Sequence, residues 1–203
     1  RAFGATLVEY GHDFQAAYEH AQEMARDGGL HPVPSFHPLL AAGVASYALE
    51  LFRAVPDLDT VYVPIGLGSG ICGMIAARDA LGLKAKVVGV VAAEAPAYAL
   101  SFGAGKPIST NSADTLADGL ACRVPNADAL EIILKGAERI VSVSEEEIRA
   151  SIRYLYTDTH NLAEGAGAAA LAGLLQEKER MAGKRVAVIQ SGGDRKSTRL
   201  NSS

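Results

Sequence analysis

The sequence predicts an α/β protein, a doubly wound and mostly parallel sheet with helices on both faces. Continuous apolar runs at residues 60–65, 85–93 and 185–190 read as strands buried on both faces. These runs alternate with segments of helical periodicity, the pattern of successive β-α units. The first runs straight into Gly66, and the last is followed by Ser191-Gly192-Gly193. The composition, 49% hydrophobic against 21% charged, supplies enough apolar surface for such a core.

Taken in order, residues 5–8 are short, apolar and strand-like, and Phe14, Ala17, Tyr18, Ala21 and Ala25 follow at helical spacing. Residues 30–38 hold three prolines and predict an extended connection. A helix is expected over 39–53, the first central strand over 60–65, a helix over 71–81 and a second strand over 85–93. Residues 140–143 predict a short strand. Ser144 with Glu147 forms S-x-x-E, a capping box that satisfies backbone donors at a helix start. Ile148, Ile152 and Leu155 share one face of that helix. A helix rich in alanine and glycine is expected over 162–180, and residues 185–190 close as the last buried strand. The organisation expected is a small-domain remnant at 1–35, a nearly complete large domain at 36–194, and a non-native polar and basic tail at 195–203 that is set aside from the fold.

Charge and composition exclude several classes. A net charge of −4 argues against a nucleic-acid or anionic-membrane surface. No apolar run approaches the roughly 20 residues of a membrane helix. Cys72 and Cys122 are far apart and outside any C-x-x-C pattern, which suits reduced thiols in a cytoplasmic protein. The five histidines lack metal-ligand spacing, so no metal site is expected.

Three motifs carry candidate chemistry. Gly66, Leu67, Gly68, Ser69 and Gly70 follow the first central strand and open onto a helix. Glycines let backbone N–H groups approach an anion, and the helix start adds partial positive charge. No lysine or arginine lies in the loop, so neutral donors, with the Ser69 hydroxyl, would hold a phosphate. The dinucleotide fingerprint is imperfect, because Ile71 stands where its third glycine belongs. Spacing through Gly73 keeps a nicotinamide reading open. Ser191, with Gly192 and Gly193, follows the last strand, and in a parallel sheet it would face the same crevice. Glu164 opens a stretch with Gly165 and Gly167. Two glycines inside a helix each cost about 1 kcal/mol relative to alanine and so require a packing reason.

In order along the chain, these motifs resemble the fold-type-II pyridoxal-phosphate enzymes, in the threonine dehydratase and serine racemase branch. The resemblance rests on the opening Arg1-Ala-Phe-Gly-Ala, Phe36-His-Pro-Leu-Leu-Ala-Ala-Gly43, the Gly66–Gly70 loop, Leu116-Ala-Asp-Gly119, Glu164-Gly-Ala-Gly and Ser191-Gly-Gly. It implies pyridoxal 5′-phosphate as cofactor, with its phosphate on Gly66, Leu67, Gly68, Ser69 and Gly70. Ser191 would meet the ring nitrogen, and Glu164 would support catalysis beside the ring. It also implies a homo-oligomer acting on a small amino acid.

The family's Schiff-base lysine belongs to an S-F-K-like segment that this sequence does not contain. Lys84, Lys86, Lys106, Lys135, Lys178 and Lys184 all stand in other contexts. The expectation is therefore an amino-terminally truncated enzyme, inactive as it stands. Related enzymes bind a divalent cation beside a glutamate equivalent to Glu94, but Tyr98 and Leu100 occupy the neighbourhood of the other acidic ligand. The parent reaction implied is dehydration and deamination of threonine or serine to a 2-oxo acid and ammonia. A hydroxyectoine-pathway dehydratase or a serine racemase of the same fold remains open. So do a nicotinamide-dependent oxidoreductase, with Glu94 near the ribose-binding position, and a non-catalytic ligand-binding or oligomerisation domain.

Overall fold

The structure is a computed structural model that describes residues 4–193. Arg1, Ala2 and Phe3 of the opening motif, Asp194 and the tail at 195–203 lie outside the described residues. The chain divides into two compact units, parting between Ser35 and Phe36.

The first unit is built on helix α1 (Phe14–Gly28). Asp13 caps it by accepting from the Ala16 amide at 2.8 Å, and Gly29 ends it in the left-handed conformation. Residues 5–8, read as a strand, take no regular structure; Leu7 and Val8 are exposed, and no described strand pairs with them. An apolar run without a partner ladder has no reason to extend as a strand.

The second unit holds helices α2 (Pro38–Ala54), α3 (Ser69–Ala80), α4 (Ala97–Ala104), α5 (Ala127–Gly136), α6 (Glu145–Thr159) and α7 (Gly165–Gln176). Strands β1 (Thr60–Pro64), β2 (Lys86–Ala92), β3 (Arg139–Val143) and β4 (Val186–Val188) form one sheet in the order β3-β2-β1-β4. Every pairing is parallel, with Val61 opposite Val87 and Ala187, and Val90 opposite Val141.

The strands read as uniformly apolar because both faces are covered. Val61, Val63, Val87 and Val91 pack with Phe52, Ile71, Met74 and Ile133 on the face of α2, α3 and α5. Tyr62, Val88, Val90 and Ala92 turn the other way, onto Ile148, Ala169 and Ala170 of α6 and α7. This two-residue alternation distributes one apolar run between two cores.

Boundaries differ from the sequence reading where tertiary contacts decide them. The glycine-rich helix spans 165–176 rather than 162–180: at its start the Glu164 amide donates outside the helix to the Gly192 carbonyl at 3.1 Å, and beyond Gln176 the chain continues in hydrogen-bonded turns. The last strand shortens to Val186–Val188, the three residues that pair with Thr60–Tyr62 of β1. Helices α4 and α5 had no counterpart in the sequence reading. The capping box of α6 is present in both directions, between Ser144 and Glu147.

Candidate functional site

Two adjacent parallel strands, β1 and β4, release their chains into one crevice of about 670 Å³. Gly66, Leu67, Gly68, Ser69, Gly70, Glu164 and Ser191, the seven residues singled out in the sequence, all line it. Val44, Tyr47, Gly119 and Gln190 contribute to its wall.

The glycine loop begins where the ladder ends. The Ile65 amide still donates to Val90, and then the chain turns through Gly68, whose φ of +101° favours glycine. Helix α3 starts at Ser69, and its ladder begins when the Cys72 amide donates to the Gly68 carbonyl at 3.0 Å. The amides of Ser69 and Gly70 therefore precede the first intrahelical bond, the position at which helix starts bind anions. A Cβ on Gly66 would run into the Gly119 carbonyl oxygen, so the loop and the 116–120 segment meet backbone to backbone.

Two tyrosines hold this loop, Tyr98 from behind and Tyr47 from the crevice wall. The Tyr98 hydroxyl donates to the Leu67 carbonyl at 2.8 Å, and the Tyr47 hydroxyl to the Gly70 carbonyl at 3.2 Å. Burial pushes the Tyr47 hydroxyl up to about 12, and it raises that of Tyr98 as well, so both stay protonated donors. Burial likewise pushes the Cys72 thiol up to about 12 and the Cys122 thiol up to about 11, which keeps both uncharged.

The second wall is the contact between residues 162–167 and 190–193. Gln190 Nε2 donates to the Leu162 carbonyl at 2.7 Å, beside the Glu164 bond to Gly192. A side chain at Gly167 would collide with the Gly192 carbonyl, and one at Gly165 would stand 2.8 Å from the Ala117 Cα. That is the packing reason for two glycines at this helix start. Ser191 is exposed at the crevice mouth, and Glu164 is half-buried.

Sequence reasoning missed Tyr47, Tyr98 as a loop anchor, and Glu145. The Glu145 carboxylate accepts from Thr115 Oγ1 at 2.6 Å and from the Leu116 amide at 3.0 Å, fixing the segment that carries Gly119. Its place beside the S-x-x-E box made it look like a helix-start charge, and nothing local pointed 29 residues upstream.

Among the described residues no lysine lines the crevice, and no group of three or more His, Cys, Asp or Glu side chains could hold a metal ion. Glu94 is exposed and is not a wall residue. No helix is long and apolar enough to cross a membrane.

Fold and crevice thus define a parallel α/β protein with a ligand cleft at the carboxyl ends of adjacent sheet strands. Residues 1–192 match the family described as pyridoxal-phosphate dependent enzymes, and the chain belongs to that family. It is 34% identical over 195 residues to an L-threonine ammonia-lyase of Thermotoga maritima, and 36% identical over 194 to one of Geobacter sulfurreducens. These alignments cover 96% and 95% of this chain, but it spans only 48% of each relative. A solved threonine deaminase isoform 2 from Solanum lycopersicum superposes with a TM-score of 0.87 at 28% identity, over 95% of this chain and 57% of that one.

Proposed function

We propose that this chain is the cofactor-binding part of an ammonia-lyase that dehydrates and deaminates threonine or serine to a 2-oxo acid and ammonia. The observation that carries the reading is the convergence of the Gly66–Gly70 loop, Glu164 and Ser191 on one crevice. The threonine ammonia-lyase names of the relatives support the substrate class. On the same reading, residues 1–35 belong to a smaller domain, residues 36–194 form the large one, and two buried free cysteines suit a cytoplasmic setting.

The residues present fit pyridoxal phosphate. A Cβ on Gly70 would meet nothing closer than Tyr47 Oη on the crevice wall, at 3.7 Å, so glycine there leaves room that a side chain would fill, and the loop's donors are neutral amides suited to a phosphate. Gly66, Leu67, Gly68, Ser69 and Gly70 would hold that phosphate, and Ser191 would hold the ring nitrogen. When bound, the cofactor supplies an electron sink for charge developing at the substrate α-carbon. Ser191 would meet the ring with a neutral hydroxyl rather than a carboxylate, a weaker pull that suits loss of a β-leaving group over transamination. Glu164 brings a carboxylate to the same wall, beside the cofactor ring on this reading.

The deciding experiment joins this chain to the coding sequence that precedes it and measures 2-oxobutyrate release from threonine and pyruvate release from serine. Turnover that disappears in Gly68→Asp, with the fold retained, supports the reading. Wild-type turnover and cofactor affinity in that variant would refute it, since a side chain at Gly68 presses on Ala129 and Tyr98 behind the loop, at a φ that favours glycine, and so displaces the loop that would hold the phosphate. The chain as it stands should give no specific borohydride-trapped label with pyridoxal phosphate. Stoichiometric labelling of one lysine would overturn the assignment of the nucleophile to another segment.

A further inference from the structure

Tyr98 comes from α4, an element unconnected in sequence with any of the motifs. Its side chain is buried, with 1% of its surface exposed, and its hydroxyl makes two bonds. The Asn126 amide lies 3.1 Å away and can only donate, so the tyrosine oxygen accepts there. The single hydroxyl proton is then committed to the Leu67 carbonyl at 2.8 Å. Asn126 itself is anchored, because its side chain caps α5 by accepting from the Ala129 amide at 3.0 Å. The acceptor in the glycine loop is thus tied through Tyr98 to the start of α5.

The peptide between Leu67 and Gly68 is trans, so its carbonyl and its N–H point in opposite directions. A carbonyl drawn inward toward Tyr98 sends the Gly68 N–H outward. Neither helix nor strand controls this peptide: β1 has ended at Pro64 and α3 begins at Ser69. Glycine at 68, with φ of +101°, also leaves the backbone freer to turn over than any other residue would. Tyr98 Oη also lies 3.3 Å from where a Gly68 Cβ would sit, so the anchor packs directly against this residue.

We propose that Tyr98 is a positioning residue for the anion cradle, holding the Leu67 carbonyl so that the Gly68 amide faces the crevice and donates to a ligand phosphate. The inference rests on the reading of the Gly66–Gly70 loop as a phosphate site. Tyr98 touches neither ligand nor reacting atoms; it sets one donor. A tyrosine that served only the core would affect the whole loop alike, whereas a peptide anchor acts on Gly68 selectively. The amides of Ser69 and Gly70 keep their orientation from α3.

The test is a titration of the ¹⁵N-labelled 203-residue chain with inorganic phosphate, following the Gly68, Ser69 and Gly70 amide signals, in wild type and Tyr98→Phe. The expected result is a shift at all three signals in wild type. In the variant, affinity falls about tenfold, the Gly68 shift collapses, and Ser69 and Gly70 still respond. Unchanged affinity with an unchanged Gly68 shift overturns the proposal, and so does equal loss at all three amides. A wild-type chain that shows no response refutes the phosphate site itself, and the inference falls with it. Should Tyr98→Phe not fold, 2,3-difluorotyrosine at position 98 keeps the shape and strengthens the donor. Tighter phosphate binding is then expected, and unchanged binding overturns the proposal.

Discussion

The two strands that open onto the crevice differ in how firmly their ends are held. β1 is central, paired on both sides, and all five of its residues are buried. The loop after it is wedged against Gly119 and tied back by Tyr47 and Tyr98. β4 is a three-residue strand that, among the described residues, pairs with β1 alone, and its residues are only half-buried. The chain beyond β4 reaches an exposed Ser191 through a few bonds to residues 162–164. The end proposed to hold phosphate is therefore braced by the fold on more sides than the end proposed to meet the ring nitrogen. Substitutions of the same kind should give unequal results at the two ends.

Gly66→Ala should produce the largest effect. Its methyl group meets a backbone carbonyl at Gly119, and the Glu145 clamp on Thr115 and Leu116 leaves that segment little room to retreat. Overpacking of this kind should cost about 3 kcal/mol of stability, read by denaturant unfolding, together with loss of phosphate binding. A variant as stable as wild type would show that the phosphate end is as yielding as the other.

Both ends depend on α7 staying in place, and its rear is held by charge. Arg139 Nε donates to Glu177 Oε1 at 2.8 Å, and the Tyr62 hydroxyl donates to Glu177 Oε2 at 2.6 Å. The hydrogen bond from Arg139 leads the factors that hold the Glu177 carboxyl below its ordinary value. A folded-state value lowered in this way contributes stability above the unfolded-state value. That contribution is lost as pH falls through the folded one. Glu177→Gln should cost about 2 kcal/mol near neutrality, because it removes the nearer of the two carboxylates paired with half-buried Arg139 and leaves it only Glu138 at 3.2 Å. It should also flatten the acid limb of the stability profile, and an unaltered acid limb would count against the clamp.

Much of this was legible because the signals were local. A continuous apolar run such as 60–65, followed by glycines, identifies a buried strand with a loop at its end, and the S-x-x-E at Ser144 marks a helix start. Residues 5–8 have the composition of a strand, but pairing is a property of two segments, and no described strand lies beside them. Tyr98 and Glu145 were missed for a related reason. Each acts on residues about 30 positions away, and a buried tyrosine or a helix-start glutamate has the same local pattern whether it anchors a site or only fills a position. Gly165 and Gly167 lay between these cases, since the sequence showed that they needed an explanation and the structure supplied it in Ala117 and Gly192.

Gly167→Ala is the matched counterpart of Gly66→Ala. Its methyl group also meets a backbone carbonyl, that of Gly192, but residues 190–193 are exposed apart from half-buried Gly192 and should yield more readily than the clamped 115–119 segment. Alanine recovers about 1 kcal/mol of helix propensity inside α7, which offsets part of the clash. The net loss of stability should be about 1 kcal/mol, well below that of Gly66→Ala. Cofactor affinity should fall more than stability, because the displaced segment carries Ser191. Equal losses in the two glycine variants would erase the distinction between the ends.

Ser191→Ala should have the smallest effect and isolates the open end most cleanly. The side chain is exposed and its loss leaves no buried group unpaired, so unfolding should match wild type within about 0.5 kcal/mol. If the hydroxyl donates to the ring nitrogen, pyridoxal phosphate should bind more weakly by about 1 kcal/mol, the usual net worth of one hydrogen bond. Inorganic phosphate, which lacks the ring, should bind as before. Ser191→Asp should differ in kind, since a carboxylate favours a protonated ring. In a longer protein that carries this chain and shows the proposed lyase activity, turnover should then shift from elimination towards racemisation or transamination. Measuring both ligands on both variants separates the two ends of the crevice. A Ser191→Ala chain that lost phosphate and pyridoxal phosphate equally would mean that the corner after β4 supports the cradle itself, and that the two ends form one rigid unit.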